Sequence, residues 1–151
     1  MNKVFFLFMA FAALGGVPVF GQSGDEIDAL LETGEVSVAL AARFVLPAAE
    51  LLPADAKAEI AFSTAIEKGW LPSDTAPDTP IKLSTLSLIV MKAFDLPGGV
   101  MYSISSSRRY AYRELLYLRI IQGISDPSQK VSGERLMRIL GRALDYKGGE
   151  S

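Results

Sequence analysis

Five apolar residues at helical spacing, Leu86, Ile89, Val90, Ala93 and Phe94, recur fifty residues later as Leu136, Ile139, Leu140, Ala143 and Leu144. The tails that follow also match, "AFDL" (Ala93 to Leu96) against "ALDY" (Ala143 to Tyr146). Upstream, "AIEKGW" (Ala65 to Trp70) aligns with "RIIQGI" (Arg119 to Ile124). Each carries a glycine followed by an apolar residue and a turn, and the second loop is four residues shorter in this alignment. A worn first copy is drawn in by "TGEV" (Thr33 to Val36) against "SGER" (Ser132 to Arg135). The unit is helix, glycine, loop, helix. A helix pair of that size cannot bury its own apolar face, so the copies must pack on one another. The repeats are expected over residues 23–52, 53–97 and 105–147 of one domain, residues 22–151.

Periodicity and punctuation predict about six helices. Ser23 and Glu26 fit a capping box for the first, from Gly24 to Glu32. The second, from Glu35 to Leu46, stops before Pro47, and the third runs from Pro53 to Gly69 with Ala58, Ala61, Phe62, Ala65 and Ile66 on one face. Pro72, Pro77 and Pro80 then forbid a regular helix. The fourth helix starts at Ser84 or a neighbour and ends at Pro97-Gly98-Gly99, and "VMYSISSS" reads as a loop or short extended stretch. The fifth, from Ser107 to Ile121, is apolar nearly all the way round. It is the expected central helix, ended by Gly123. Ser132 caps the sixth.

Composition removes whole classes of chemistry. The chain has no cysteine and no histidine. Disulfides, thiolate metal sites, cysteine nucleophiles and the usual general base near neutral pH are therefore excluded. No metal, cofactor or catalytic residue is expected. The N-terminus reads as a targeting segment. Lys3 gives a positive start, Val4 to Val19 carry no charge, and Val19-Phe20-Gly21 places small or modest residues before a cleavage point. Residues 1–21 are the expected signal peptide, leaving no stable membrane span and an exported, periplasmic or envelope-associated chain.

The stretch "GWLPSDTAPDTPIKLST" (Gly69 to Thr85) sits between two helices of the repeat. It resembles the opening loop of the S-layer homology domain, approximately G-Y-P-D-G-T-F-x-P-D-x-P-I-T-R-A-E. Gly69, Pro77, Asp78, Pro80 and Ile81 are in register, and Trp70 fills the aromatic slot. The resemblance covers residues 53–146 well. It implies an all-α fold of helix-loop-helix repeats in a pseudo-threefold bundle, in a family that holds exported proteins to cell-wall polysaccharide. The family's ligand groove depends on a threonine-arginine-alanine-glutamate signature. Here the arginine slot holds Leu83 and the glutamate slot Thr85, with Gly133 and Arg135 in the later copy.

Charge is unevenly spread. Residues 22–101 carry five basic and twelve acidic side chains, whereas residues 102–151 carry nine basic and five acidic. Arg135, Arg138 and Arg142 share one face of the last helix, away from its apolar stripe. With Arg109 and Arg113 they make a candidate site for an acidic polymer or protein, since arginine suits carboxylate and phosphate partners. Intramolecular pairing with the acidic first half is the competing reading. Trp70 could stack on a sugar or plug the core. The tyrosines of "RRYAYRELLYLR" (Arg108 to Arg119) read as core residues with hydroxyls at the edge, and nucleic acid is not expected as a partner. The expected function is a non-catalytic envelope module engaging cell-wall polymer or another envelope protein. The alternative is a glycan-acting envelope enzyme using carboxylates such as Asp74 and Asp78.

Overall fold

In the computed structural model of the chain, residues 20–149 are described, with side chains from residue 24. The expected signal segment lies outside the described residues, except for its last two positions. The fold is all-α. Among the described residues seven helices follow in order: α1 (Phe20–Leu31), α2 (Val38–Ala48), α3 (Ala58–Glu67), α4 (Leu83–Ala93), α5 (Val100–Ile104), α6 (Arg108–Tyr117) and α7 (Gly133–Gly149). They pack as α2 on α3, α4 on α6 and α7 on α1, with α2 also touching α4 and α7.

The three segments that lead into α2, α4 and α7 meet in a closed cycle of backbone hydrogen bonds. Val36 N–H donates to the Val131 carbonyl (2.8 Å), Val131 N–H to the Ile81 carbonyl (3.2 Å), and Ile81 N–H to the Val36 carbonyl (2.8 Å). All three side chains are fully buried. Two residues on, Val38 N–H donates to Thr79, Leu83 N–H to Gln129 and Gly133 N–H to Thr33. Ala39 N–H and Ser84 N–H reach the carbonyls of Pro77 and Pro127. Each segment thus satisfies first-turn donors of a helix in a neighbouring part of the ring, residues 77–79 serving α2, residues 127–129 serving α4 and Thr33 serving α7, donors that would otherwise be orphaned. This explains why α4 needs no side-chain cap at Lys82. At α2 and α6, Ser37 and Ser107 cap with their hydroxyls.

The cycle corrects the register read from glycines. Gly69 ends the α3 turn at φ 73°, with Trp70 N–H bonded back to Ala65. The corresponding turn after α6 is made by Arg119 at φ 58°, with Ile120 N–H bonded back to Leu115. This is the same helix-ending motif with a non-glycine residue in the left-handed region. Gly123 lies farther on, within the loop, so α6 ends at Tyr117 and not near Ile121. Loops 68–80 and 118–130 are equal in length. Likewise Val36 corresponds in the cycle to Val131 and not to Arg135, which moves the alignment of residues 33–36 by four residues.

Other expectations shift as well. Ser23 lies within α1 and not at its start. Pro47 is accommodated in the last turn of α2. The stretch read as extended forms the short helix α5. The central helix is α4, not α6. Every α4 residue from Leu83 to Met91 except Ser84 is buried, and Ser87 turns its hydroxyl back to the Leu83 carbonyl (2.7 Å). In α6 only Ala111, Tyr112 and Leu115 are buried. The matching stripes hold at Leu86, Ile89, Val90, Leu136, Ile139 and Leu140, all buried, but Leu144 is exposed where Phe94 is buried.

Two backbone sites give checks. A β-carbon at Gly133 would lie 1.6 Å from the Leu30 carbonyl oxygen, so α1 and α7 touch through bare backbone. Gly133→Ala should destabilise by about 1–3 kcal/mol or more, through this overpacking, in urea unfolding. Arg119→Gly should stabilise by about 0.5–1 kcal/mol in the same assay. It removes a left-handed residue costing about 1–2 kcal/mol, partly offset by the freer unfolded chain.

Candidate binding site

Helical spacing on α7 turns Leu136, Leu140 and Ala143 into the core and leaves Arg135, Arg138 and Arg142 on another face. The three arginines line one cavity of about 250 Å³ with Gln122, Ser132 and Ile124. Their present partners are modest. Arg135 Nη1 donates to Gln129 Oε1 (2.8 Å), and Arg142 Nη1 to the Ile120 carbonyl (3.3 Å). Arg138 pairs with Glu134 one turn back, both well exposed. An exposed pair of this spacing contributes about 0.3–0.5 kcal/mol, so a ligand carboxylate or phosphate can replace it at little cost. Arg135 and Arg142 are half-buried, which fixes them against the 118–131 loop as the wall of the cavity.

The other sequence-read candidates lie elsewhere. Arg109 and Arg113 are exposed on α6, and Arg113 lines a different cavity. Trp70 is half-buried and packs on the core. The Lys68 ammonium sits 5.5 Å from its ring centroid, so it serves as a plug with a cationic lid. The family's arginine slot is closed to solvent, because Leu83 and Gly133 are both buried. Asp74 lines a cavity of about 390 Å³ near the opening loop, where Lys82 and Arg108 are the other charged residues, and Asp78 is exposed outside it.

A further cavity, of about 620 Å³, involves residues that the sequence pattern does not single out together. It lies between residues 97–101, one face of α6 and Tyr146. Tyr110, Arg113, Glu114, Tyr117 and the cap residue Leu118 line it at the i, i+3, i+4, i+7, i+8 spacing of one helix face. Of these residues, the sequence reading expects the tyrosines in the core and Arg113 at a binding face. Tyr112 meets that expectation, buried with its hydroxyl 2.9 Å from the Ser125 carbonyl, whereas Tyr117 is 83% exposed. Gly98 and Gly99 let the chain pass close over the Tyr102 ring and the Glu114 carboxylate, which lie 2.1 Å and 2.9 Å from where β-carbons would stand.

Tyr102 of α5 is buried against Gly98, with the Lys92 ammonium 5.5 Å from its ring centroid. Burial, then the Asp95 and Glu114 carboxylates, hold its hydroxyl above the usual tyrosine range. A raised folded value favours the folded state while the hydroxyl stays protonated. That stability is fully present below the unfolded value of about 10, and is lost as pH rises through the folded value. Alkaline unfolding followed by circular dichroism should therefore be less steep for Tyr102→Phe than for the parent chain.

Among the described residues no cluster of acidic side chains is arranged to hold a metal ion, and no helix is long and apolar enough to cross a membrane. No protein-family model, curated protein or solved structure matches the chain.

Proposed function

We propose that the chain is a non-catalytic module of the bacterial envelope, built from degenerate S-layer-homology-like repeats. It engages an acidic cell-wall polymer through the arginine face of α7, and an acidic envelope protein is the second candidate partner. The observation that carries this reading is the convergence of Arg135, Arg138 and Arg142 on one cavity, tied only to an amide, an exposed glutamate and a backbone carbonyl. The closed cycle through Val36, Ile81 and Val131 supports the repeat architecture, since it joins three loop-to-helix segments head to tail. The buried Leu83 and Gly133 move the contact away from the family's signature slots and onto the outer face of the last helix. Export follows from the apolar, uncharged stretch Val4 to Val19.

The test is co-sedimentation with purified cell-wall sacculi, and separately with a candidate acidic envelope protein, across a salt series. Binding should weaken as the screening length shortens from about 10 Å at 0.1 M to about 3 Å at 1 M. The Arg135/Arg138/Arg142→Ala variant should lose it. Salt-insensitive binding that the triple change leaves intact would reject the arginine face.

A further inference from the structure

The connection from α4 to α6 is longer than its counterpart from α2 to α3, and the extra length carries α5 (Val100–Ile104). This helix faces inward through Tyr102 alone. Outward it presents Val100, Met101 and Ile104, exposed by 75%, 52% and 76%. Tyr117 of α6, exposed by 83%, shares a cavity rim with Val100 and Met101. Four large apolar or aromatic side chains in water oppose solubility unless something covers them.

Beside them runs a row on α6 at four-residue spacing, Arg109, Arg113 and Tyr117. Arg109 and Arg113 are exposed and have no ion pair or hydrogen bond among the described residues. Glu114 is half-buried against the Gly99 backbone, Asp95 is exposed and acts on the Tyr102 hydroxyl, and the Lys92 ammonium sits over the same ring. Around the apolar tip the cationic Lys92, Arg109 and Arg113 thus outnumber the acidic Asp95 and Glu114.

We propose that α5 and the outer face of α6 form a docking surface for an anionic phospholipid bilayer. Val100, Met101 and Ile104 enter the headgroup–acyl boundary, Tyr117 lies at headgroup level, and Arg109 and Arg113 meet lipid phosphates. Magnitude favours a bilayer over a protein. A stable protein interface buries about 800 Å² on each partner, more than four side chains on a short helix can supply. A fluid interface requires no complementary shape. Tyrosine and arginine, with apolar bodies and polar tips, are suited to its depth. The surface is distinct from the α7 arginine face, so either can fail while the other stands.

The chain has no cysteine, so one introduced residue can be labelled alone. Ile104→Cys carrying an environment-sensitive fluorophore, in the full chain, is mixed with vesicles of phosphatidylglycerol and phosphatidylcholine. Ser63→Cys on α3 serves as the control. This local readout is indifferent to whether the N-terminal apolar segment also holds the chain to vesicles. The label at position 104 should shift to the blue and become quenchable from within the bilayer, and that at position 63 should not. Arg109→Ala with Arg113→Ala should weaken the insertion signal about thirtyfold on anionic vesicles. A label at 104 that stays in water, or insertion that the arginine changes leave unaltered, overturns the proposal. So does a response to sacculi or to an envelope protein without one to vesicles.

Discussion

Val36, Ile81 and Val131 each donate one backbone hydrogen bond and accept one, and together they close a ring. Each such bond adds only about 1 kcal/mol net, but breaking one strands buried backbone groups at a larger cost. Because the ring is closed, none of the three segments can slide without disturbing the other two. The register of every loop-to-helix junction follows from it. The next residues along each strand of the ring supply or receive the bonds that start α2, α4 and α7. The helices therefore leave the centre at positions set by main-chain geometry, with side-chain caps from Ser37 and Ser132 added at α2 and α7 and none at α4.

From that constraint the packing follows. Residues 32–35 join α1 to the ring, against residues 68–80 and 118–130 in the other two units. So short a link holds the end of α1 against the start of α7, where only glycine fits at position 133. Arg43 of α2 ties to Glu26 of α1 at 2.9 Å, fastening the same helix from the other side. With α1 covering one side of α7, and the core taking Leu136, Leu140 and Ala143, the arginine face is left outward against the 118–131 loop. The cationic cavity is thus a consequence of how the last unit is closed.

The helical stripes were legible because burial imposes a period that survives in one sequence. Leu86 and Leu136, fifty residues apart, are both fully buried. The register between copies was less legible. Glycine is the usual mark of a left-handed helix end, but here Gly69 has its counterpart in Arg119, and the nearby Gly123 drew the alignment four residues astray. Backbone conformation is decided by the hydrogen bonds from Trp70 to Ala65 and from Ile120 to Leu115, and residue type only biases it. Of the candidate site, the arginine face of α7 was legible from spacing. The cavity beneath α5 was not, because its walls come from three separate parts of the chain.

By itself the sequence determined that the chain is helical, without thiol or imidazole chemistry, and cationic in its last third. These properties depend on composition and on local period, and both are written residue by residue. Only the tertiary structure decided which helix is central and which aromatic residues face water. Leu83 to Met91, Ser84 apart, are enclosed because α2 and α6 both pack on α4, whereas Tyr117 is left bare on the face of α6 turned away from its buried Ala111, Tyr112 and Leu115. Burial is a property of what packs against a residue, and a lone chain segment does not carry that information.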